Sequence, residues 1–548
     1  MALARNPILP GFHPDPSLLR VGDTYYLANS TFEWWPGVSI YESKDLANWR
    51  LAAQPLDRVS QLDMQGVRPS DGIWAPCLSY SPQEGLFYLV YTNMHNSAVI
   101  WDSPNYLVTA PAIQGPWSEP VYLNSVGFDP SMFHDDDGRK YFCAMISDHR
   151  PGRGRFAGVV MQEYDPVARK LVGPMKKIWR SRQELSEGPH VFKKDGWYYV
   201  FLAYGGTGIE HSELTARCRT VDGVYEPDPR GMFITSRFAP DWPLQRAGHT
   251  SLVQTPQGRW FVSCLCGRPV RNSGRCVLGR ETALAEVVWT EDGWPRLKNG
   301  GLTPELSLDT GLPAHPYPPE PETVALYTLP ASFLTLRQPW TAEKEYSVTA
   351  RPGWLRLYGG ESPFSRYNQR VYCRRMEHHH FEAETEVDFH PEHYKHLAGL
   401  VCYYECANFL FLHVTREEKL GRCLALLRCE NGRTTEPCAP VPLPGDGPVR
   451  LRVHVDMDRA QFSYSTDAGG NWKRMGRLQD SSFLSDEACV DGRFTGGMVG
   501  ITCCDLWSNC QPADFSYFRY AQRPPYENLA EMTPVDGGSA LDEDGGQI

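Results

Sequence analysis

Short apolar runs, each opened by a turn residue and an aromatic pair, recur along roughly the first 300 residues. They are Asp23-Thr24-Tyr25-Tyr26-Leu27, Gly85-Leu86-Phe87-Tyr88-Leu89, Arg139-Lys140-Tyr141-Phe142-Cys143, Gly196-Trp197-Tyr198-Tyr199-Val200 and Gly258-Arg259-Trp260-Phe261-Val262. Taking Tyr25, Phe87, Tyr141, Tyr198 and Trp260 as markers, the steps are 62, 54, 57 and 62 residues. Gly- and Asp-rich turns precede strand-forming residues, and helical periodicity is scarce. A β-rich unit of about sixty residues suits a four-stranded propeller blade with generous loops. Five such units predict a five-bladed β-propeller over residues 1–302. A Pro-rich stretch at 303–325 reads as an extended, semi-rigid linker. Alternation then resumes at His380–Val387, Asn408–Val414 and Arg450–Val455. Regular short strands without helices predict a β-sandwich over 326–525, of the concanavalin or jelly-roll kind. The Gly- and acid-rich residues 526–548 are expected to form a frayed tail. The fold class is therefore all-β.

Ahead of each aromatic marker lies a second motif: His13-Pro14-Asp15-Pro16-Ser17, Ile73-Trp74-Ala75-Pro76, Phe128-Asp129-Pro130-Ser131, Ser186-Glu187-Gly188-Pro189-His190 and Gly248-His249-Thr250-Ser251. Their lead residues, Asp15, Trp74, Asp129, Glu187 and His249, are 59, 55, 58 and 62 residues apart. Equivalent positions of successive blades form a ring about the propeller axis, so five distant motifs become one site. Three carboxylates in such a ring suit glycoside hydrolysis. Two of them flank the bond as acid and base or nucleophile, and the third raises the acid's proton affinity by like-charge repulsion. Trp74 offers a ring face to the C–H groups of a sugar. Singly, each residue reads as structural: Asp-Pro opens turns, and a lone His usually satisfies a core hydrogen bond. Their common phase is what makes them a candidate site.

Composition narrows the classes. With 54 Lys and Arg against 65 Asp and Glu, the net charge of -11 argues against a nucleic-acid or anionic-membrane partner. No apolar stretch approaches the roughly 20 residues that span a bilayer. Residues 1–10 lack a charged region followed by an apolar one, so a cytoplasmic protein is expected. The 16 cysteines read as buried small hydrophobes and free thiols, without the paired Cys-x-x-Cys arms of a zinc site. Asp135-Asp136-Asp137-Gly138 reads as a hairpin turn rather than a calcium loop. His378-His379-His380 reads as a solvated strand start, because consecutive strand residues alternate faces and cannot converge on a metal.

The segment Asn6-Pro7-Ile8-Leu9-Pro10-Gly11-Phe12-His13-Pro14-Asp15-Pro16-Ser17, with the Asp129, Glu187 and Gly248-His249-Thr250 motifs, resembles family 43 glycoside hydrolases. More narrowly it resembles their β-xylosidases with a C-terminal β-sandwich, over nearly the whole chain. The resemblance implies Asp15 as general base, Glu187 as general acid, and Asp129 as the group that tunes and orients Glu187. It implies that Arg280 hydrogen-bonds the terminal sugar, and that Phe32, Trp74, Ala75, Phe128 and Thr207 line the first subsite. Phe494 is the expected aromatic lent by the sandwich, with Trp507 its rival. Some members of the family place a hydrated calcium beside the residue matching His249 and others do not; no cofactor is otherwise required. The expected activity is exo-acting, inverting β-xylosidase action on xylo-oligosaccharides, by a homo-oligomer (dimer or tetramer). The alternatives are an α-L-arabinofuranosidase, an enzyme with both activities, a retaining fructan enzyme, and a non-catalytic glycan-binding propeller.

Overall fold

A computed structural model describes residues 1–525 apart from 99, 181–184, 272, 468 and 469. The expected tail, 526–548, lies outside the described residues. Five four-stranded antiparallel sheets follow one another along the chain, as a five-bladed propeller requires. Their first strands are Ser17–Val21, Gly72–Ser81, Ser131–His134, Ser186–Lys194 and Gln245–Gln254. Neighbouring first strands pack against one another in sequence, and the fifth returns to the first. The five aromatic markers sit at or next to the start of the second strands, Thr24–Asn29, Leu86–Met94, Lys140–Ser147, Trp197–Tyr204 and Trp260–Gly267. There they feed the apolar layers between blades: Phe87 with Leu78 and Val108, Tyr141 with Val159 and Val191.

Among the described residues no strand is exchanged between the first and last blades. The ring is joined instead by the chain's start, where Leu3–Arg5 pairs antiparallel with Ser307–Asp309. Asn6 reinforces the seam. Its side-chain amide donates to the carbonyls of Leu284 and Glu305, at 2.7 and 2.6 Å, and its Oδ1 accepts from the Leu284 N–H.

The Pro-rich stretch runs along blade 1, where the His315 N–H reaches Asp45 at 2.7 Å and Arg50 covers the Tyr317 ring. Among the described residues the single helical element is a 3-10 turn, Leu326–Thr328. The rest of the chain forms two stacked antiparallel sheets of eight and seven strands. One contains His380–Phe389 and Val449–Asp456, the other Asn408–Glu417. Phe381, Val387, Leu412, Val453, Ile501 and Phe515 fill the space between them. The sandwich is welded to the propeller: Thr335–Leu336 pairs with Trp34–Trp35. A shared apolar cluster joins Phe12, Phe32 and Trp34 to Leu334, Val371 and Phe411.

The minor motifs resolve simply. Asp135–Gly138 turns between two strands of blade 3, with Asp135 taken up by Lys193 and the Tyr198 hydroxyl. His380 opens a strand, with His378 and His379 just ahead of it, but the expectation that they are solvated is wrong. They are half-buried, His378 lies against Tyr520, and burial pushes His378 and His379 down to about 4. All 16 cysteines are free, and Cys510 alone is exposed.

Candidate active site

At or just before the first strand of every blade an equivalent residue has a left-handed backbone: Asp15 (φ 53), Ala75 (φ 32), Asp129 (φ 55), Gly188 (φ 58) and His249 (φ 49). In blades 2, 4 and 5 this residue lies in a bulge, where strand pairing shifts register. The structural repeat thus corrects the phase expected from sequence. Trp74 and Glu187 stand one position before the turn residue, whereas Asp15, Asp129 and His249 are the turn residues themselves. Gly188 is glycine for two reasons. Its φ is in the left-handed region, and a Cβ there would stand 3.0 Å from the His249 ring.

The ring residues open into a cavity of about 380 Å3 between the propeller and a loop of the sandwich. Asp15, Asp129, Glu187, His249, Arg280, Phe32, Trp74, Phe128, Thr207 and Phe494 all line it. Ala75 lies behind the wall. Its N–H donates to Ser30 Oγ at 2.8 Å, and that hydroxyl donates to Asp15 Oδ2 at 2.6 Å. Phe494 packs against Phe32 and Trp74, with ring centroids 6.0 and 5.5 Å apart. Trp507 is remote from the cavity and 73% exposed, against His393.

The three carboxyls occupy different environments. Burial alone would raise Asp15, but Arg280, His249 and the Ser30 hydroxyl outweigh it and hold the carboxyl below its ordinary value. Arg280 Nη1 donates to Asp15 Oδ1 at 2.9 Å, and His249 Nδ1 lies 3.7 Å from the same oxygen. Asp129 and Glu187 are both pushed up. Burial is the main cause for each; the Glu187 and Asp15 charges add to it at Asp129, and the Asp15 charge at Glu187. The Gly188 N–H donates to Asp129 Oδ2 at 2.8 Å, a bond that favours the ionised form of Asp129. A site that ionises one carboxyl while keeping a proton on a second can run acid and base chemistry together.

His249 shares its surroundings with His190 and His211, and burial lowers all three, although the Asp15 charge opposes this at His249 and His211. Calcium prefers six to eight oxygen ligands. Here the side chains around His249 offer mainly ring nitrogens, and the Asp15 oxygens are already committed to Arg280 and Ser30. Among the described residues no three His, Cys, Asp or Glu side chains converge as metal ligands. The donor set does not fit a directly coordinated calcium ion, whereas the calcium expected beside His249 is a hydrated one held through water.

Several cavity residues were not anticipated. His211, whose Nδ1 lies 2.8 Å from the Arg246 carbonyl, comes from a loop of blade 4. Trp101, Arg155 and Phe156 form an outer aromatic shelf, with Arg155 over the Trp101 ring and Trp101 against Phe128. Arg68 and Asp491 pair at 3.0 Å across the mouth. These residues lie between the repeated motifs, so no periodicity marked them.

Residues 4–295 match the model of glycosyl hydrolases family 43, and residues 327–521 match the β-xylosidase C-terminal concanavalin A-like domain. The chain is 46% identical to xylosidase/arabinosidase 43B of Humicola insolens, over 95% of this chain and 98% of that protein. It is 44% identical to a β-xylosidase of Bacillus subtilis, over 94% and 99%. The crystal structure of a xylan β-1,4-xylosidase from Bacillus halodurans superposes with a TM-score of 0.92 at 46% identity, covering 95% of this chain and all of that one. With its propeller, its carboxyl-lined cavity and these matches along nearly its full length, the chain belongs to glycosyl hydrolases family 43.

Proposed function

We propose that this glycoside hydrolase is an exo-acting, inverting β-xylosidase that releases xylose from the non-reducing ends of xylo-oligosaccharides. The observation that carries the reading is the opposed tuning of two carboxyls lining one cavity: Asp15 held down by Arg280, Glu187 raised by burial and by the Asp15 charge. Asp15, ionised, takes a proton from water as the water attacks the anomeric carbon. Glu187, protonated, gives its proton to the departing glycosidic oxygen. Asp129 and Glu187 are both raised by burial, and the Gly188 N–H donated to Asp129 favours the negative charge there and the proton on Glu187. Arg280 has N–H groups left over from Asp15 and Phe494 to donate to the terminal sugar. Phe32, Trp74 and Phe494 supply ring faces and exclude bulk water from the positively charged transition state. Because Phe494 comes from the sandwich, the second domain walls the pocket, which favours attack on chain ends.

The names of the relatives support xylose as the released sugar. That of the Humicola enzyme also favours a second reading, release of α-L-arabinofuranose by the same acid and base. Hydrolysis of xylobiose, an arabinofuranosyl oligosaccharide and their aryl glycosides, run side by side, ranks the two. NMR of the first-formed xylose should show the α anomer from a β-linked substrate. The β anomer appearing first would exclude inversion. A cytoplasmic oligomer acting on imported short xylo-oligosaccharides completes the reading.

A further inference from the structure

Phe494 belongs to a loop of the sandwich, and a loop is a poor place from which to hold an aromatic wall still. Its peptide group is nevertheless gripped from both sides. The carbonyl accepts from Arg280, and the N–H donates to Ser70 Oγ at 3.1 Å. Ser70 lies in the connection between blades 1 and 2, is 2% exposed, and has a left-handed backbone with φ 61. All three of its polar groups are used. Its own N–H donates to Glu33 Oε2 at 3.0 Å, and its carbonyl accepts the Trp74 indole N–H at 2.7 Å. Glu33 is anchored in turn, since its carbonyl accepts the Arg337 N–H at 2.8 Å. Arg337, 1% exposed, donates to the Val67 carbonyl and to Gln369. The sandwich loop approaches so closely that a Cβ on Gly492 would stand 2.7 Å from Pro69 and 3.2 Å from Ser70 Oγ.

One residue of the propeller therefore holds both Trp74 and Phe494, rings that meet edge-on at 5.5 Å. We infer that Ser70 is a positioning residue. It fixes the spacing of these two rings, and through them the fit of the terminal sugar. The inference rests on the reading that this cavity binds that sugar, and its test is chosen to fail separately.

Ser70→Ala removes the hydroxyl and keeps both backbone bonds. Ser70→Gly also removes it, while relieving the left-handed backbone, so lost folding stability cannot explain an effect the two share. In the full-length chain, hydrogen exchange of peptides spanning 489–497 should quicken in both variants, whatever the substrate proves to be. On xylobiose, or on the arabinofuranoside if that is the better substrate, KM should rise about tenfold, the loss of one buried hydrogen bond to a positioned group. The kcat should change less than KM, and both limbs of the pH–rate profile should stay in place, because no charge is altered. A merely structural serine would lower the melting temperature and the active fraction with KM unmoved. Parental exchange rates, or parental KM in both folded variants, overturn the inference. A parent enzyme inactive on every glycoside would refute the functional reading, and the exchange measurement would still decide the role of Ser70.

Discussion

The guanidinium of Arg280, in blade 5, donates to the carbonyl oxygen of Phe494, in the sandwich, from Nη2 at 3.0 Å and from Nε at 3.3 Å. Its remaining terminal nitrogen holds Asp15. One side chain thus ties the group proposed to activate water to the wall contributed by the second domain. The pocket's electrostatics and its shape are set by the same residue.

Removing that charge should move the whole pH–rate bell. Arg280 lowers Asp15, and it also opposes the upward push on Asp129 and Glu187. Without it, Asp15 stays protonated to higher pH, so the acid limb shifts up. Glu187 keeps its proton to higher pH, so the alkaline limb shifts up as well. Arg280→Gln should show both shifts in kcat/KM, with a large loss of rate. Arg280→Lys keeps the charge but cannot span Asp15 and Phe494, so it should lose rate with the limbs nearly in place. Limbs that move alike in both variants would contradict this division of labour.

The acid and the base should separate by leaving group. Asp15→Ala removes the group proposed to deprotonate water, so activity should collapse on aryl xyloside and xylobiose alike. Glu187→Ala removes the proposed proton donor, which a nitrophenolate scarcely needs. Acid assistance is commonly worth 10²–10⁴-fold. Glu187→Ala should therefore retain roughly tenfold or more relative activity on the aryl xyloside. Equal losses on both substrates would reverse the assignment.

Asp129→Asn keeps an acceptor for the Gly188 N–H and removes the carboxyl whose ionised form would repel charge on Glu187. Glu187 then releases its proton more readily, and the alkaline limb of the profile should move to lower pH. An unmoved limb would leave Asp129 with an orienting role alone.

Gly188→Ala tests the repeated left-handed turn. The new Cβ meets the His249 ring at 3.0 Å, and an L-residue in this region costs about 1–2 kcal/mol. The variant should melt lower and lose activity on every glycoside, with no change in the ratio between aryl and natural substrates. A melting temperature equal to the parent's would mean that the ring tolerates the shift.

A chain ending at Leu302 should be insoluble or nearly inactive. It lacks Phe494, and it uncovers Phe12, Phe32 and Trp34, which pack against Leu334, Val371 and Phe411. A soluble propeller with full activity would show the sandwich to be an accessory.

The propeller was legible because every blade repeats one aromatic-apolar strand, and Tyr25, Phe87, Tyr141, Tyr198 and Trp260 mark it at near-constant spacing. The five ring motifs were legible for the same reason, although their phase was off by one at Trp74 and Glu187. Backbone conformation sets that phase, and a left-handed alanine at position 75 leaves no trace in residue type. The aromatic at position 494 came from resemblance, since no pattern in the sandwich sequence singles it out from Trp507. Ser70, His211, Trp101 and Arg155 escaped notice because they sit in inter-strand loops, and Phe156 because it opens a strand outside the repeated motifs, where spacing carries no signal. The half-buried histidines at 378–380 were misread for a related reason: their cover, Tyr520, lies far along the chain.

The seam that joins Asn6 to Glu305 also sets an order of events on the ribosome. These residues are 299 positions apart, so at about 5–20 residues per second the first segment waits roughly 15–60 s for its partner to be made. Until then the blades accumulate as an open ring, the fifth ending at Leu297, and their apolar inter-blade faces stand open at one edge. The Phe494 loop emerges later still. A nascent chain would carry Asp15 and Glu187 well before it owned a pocket, so hydrolytic competence arrives only after the sandwich loop has been made.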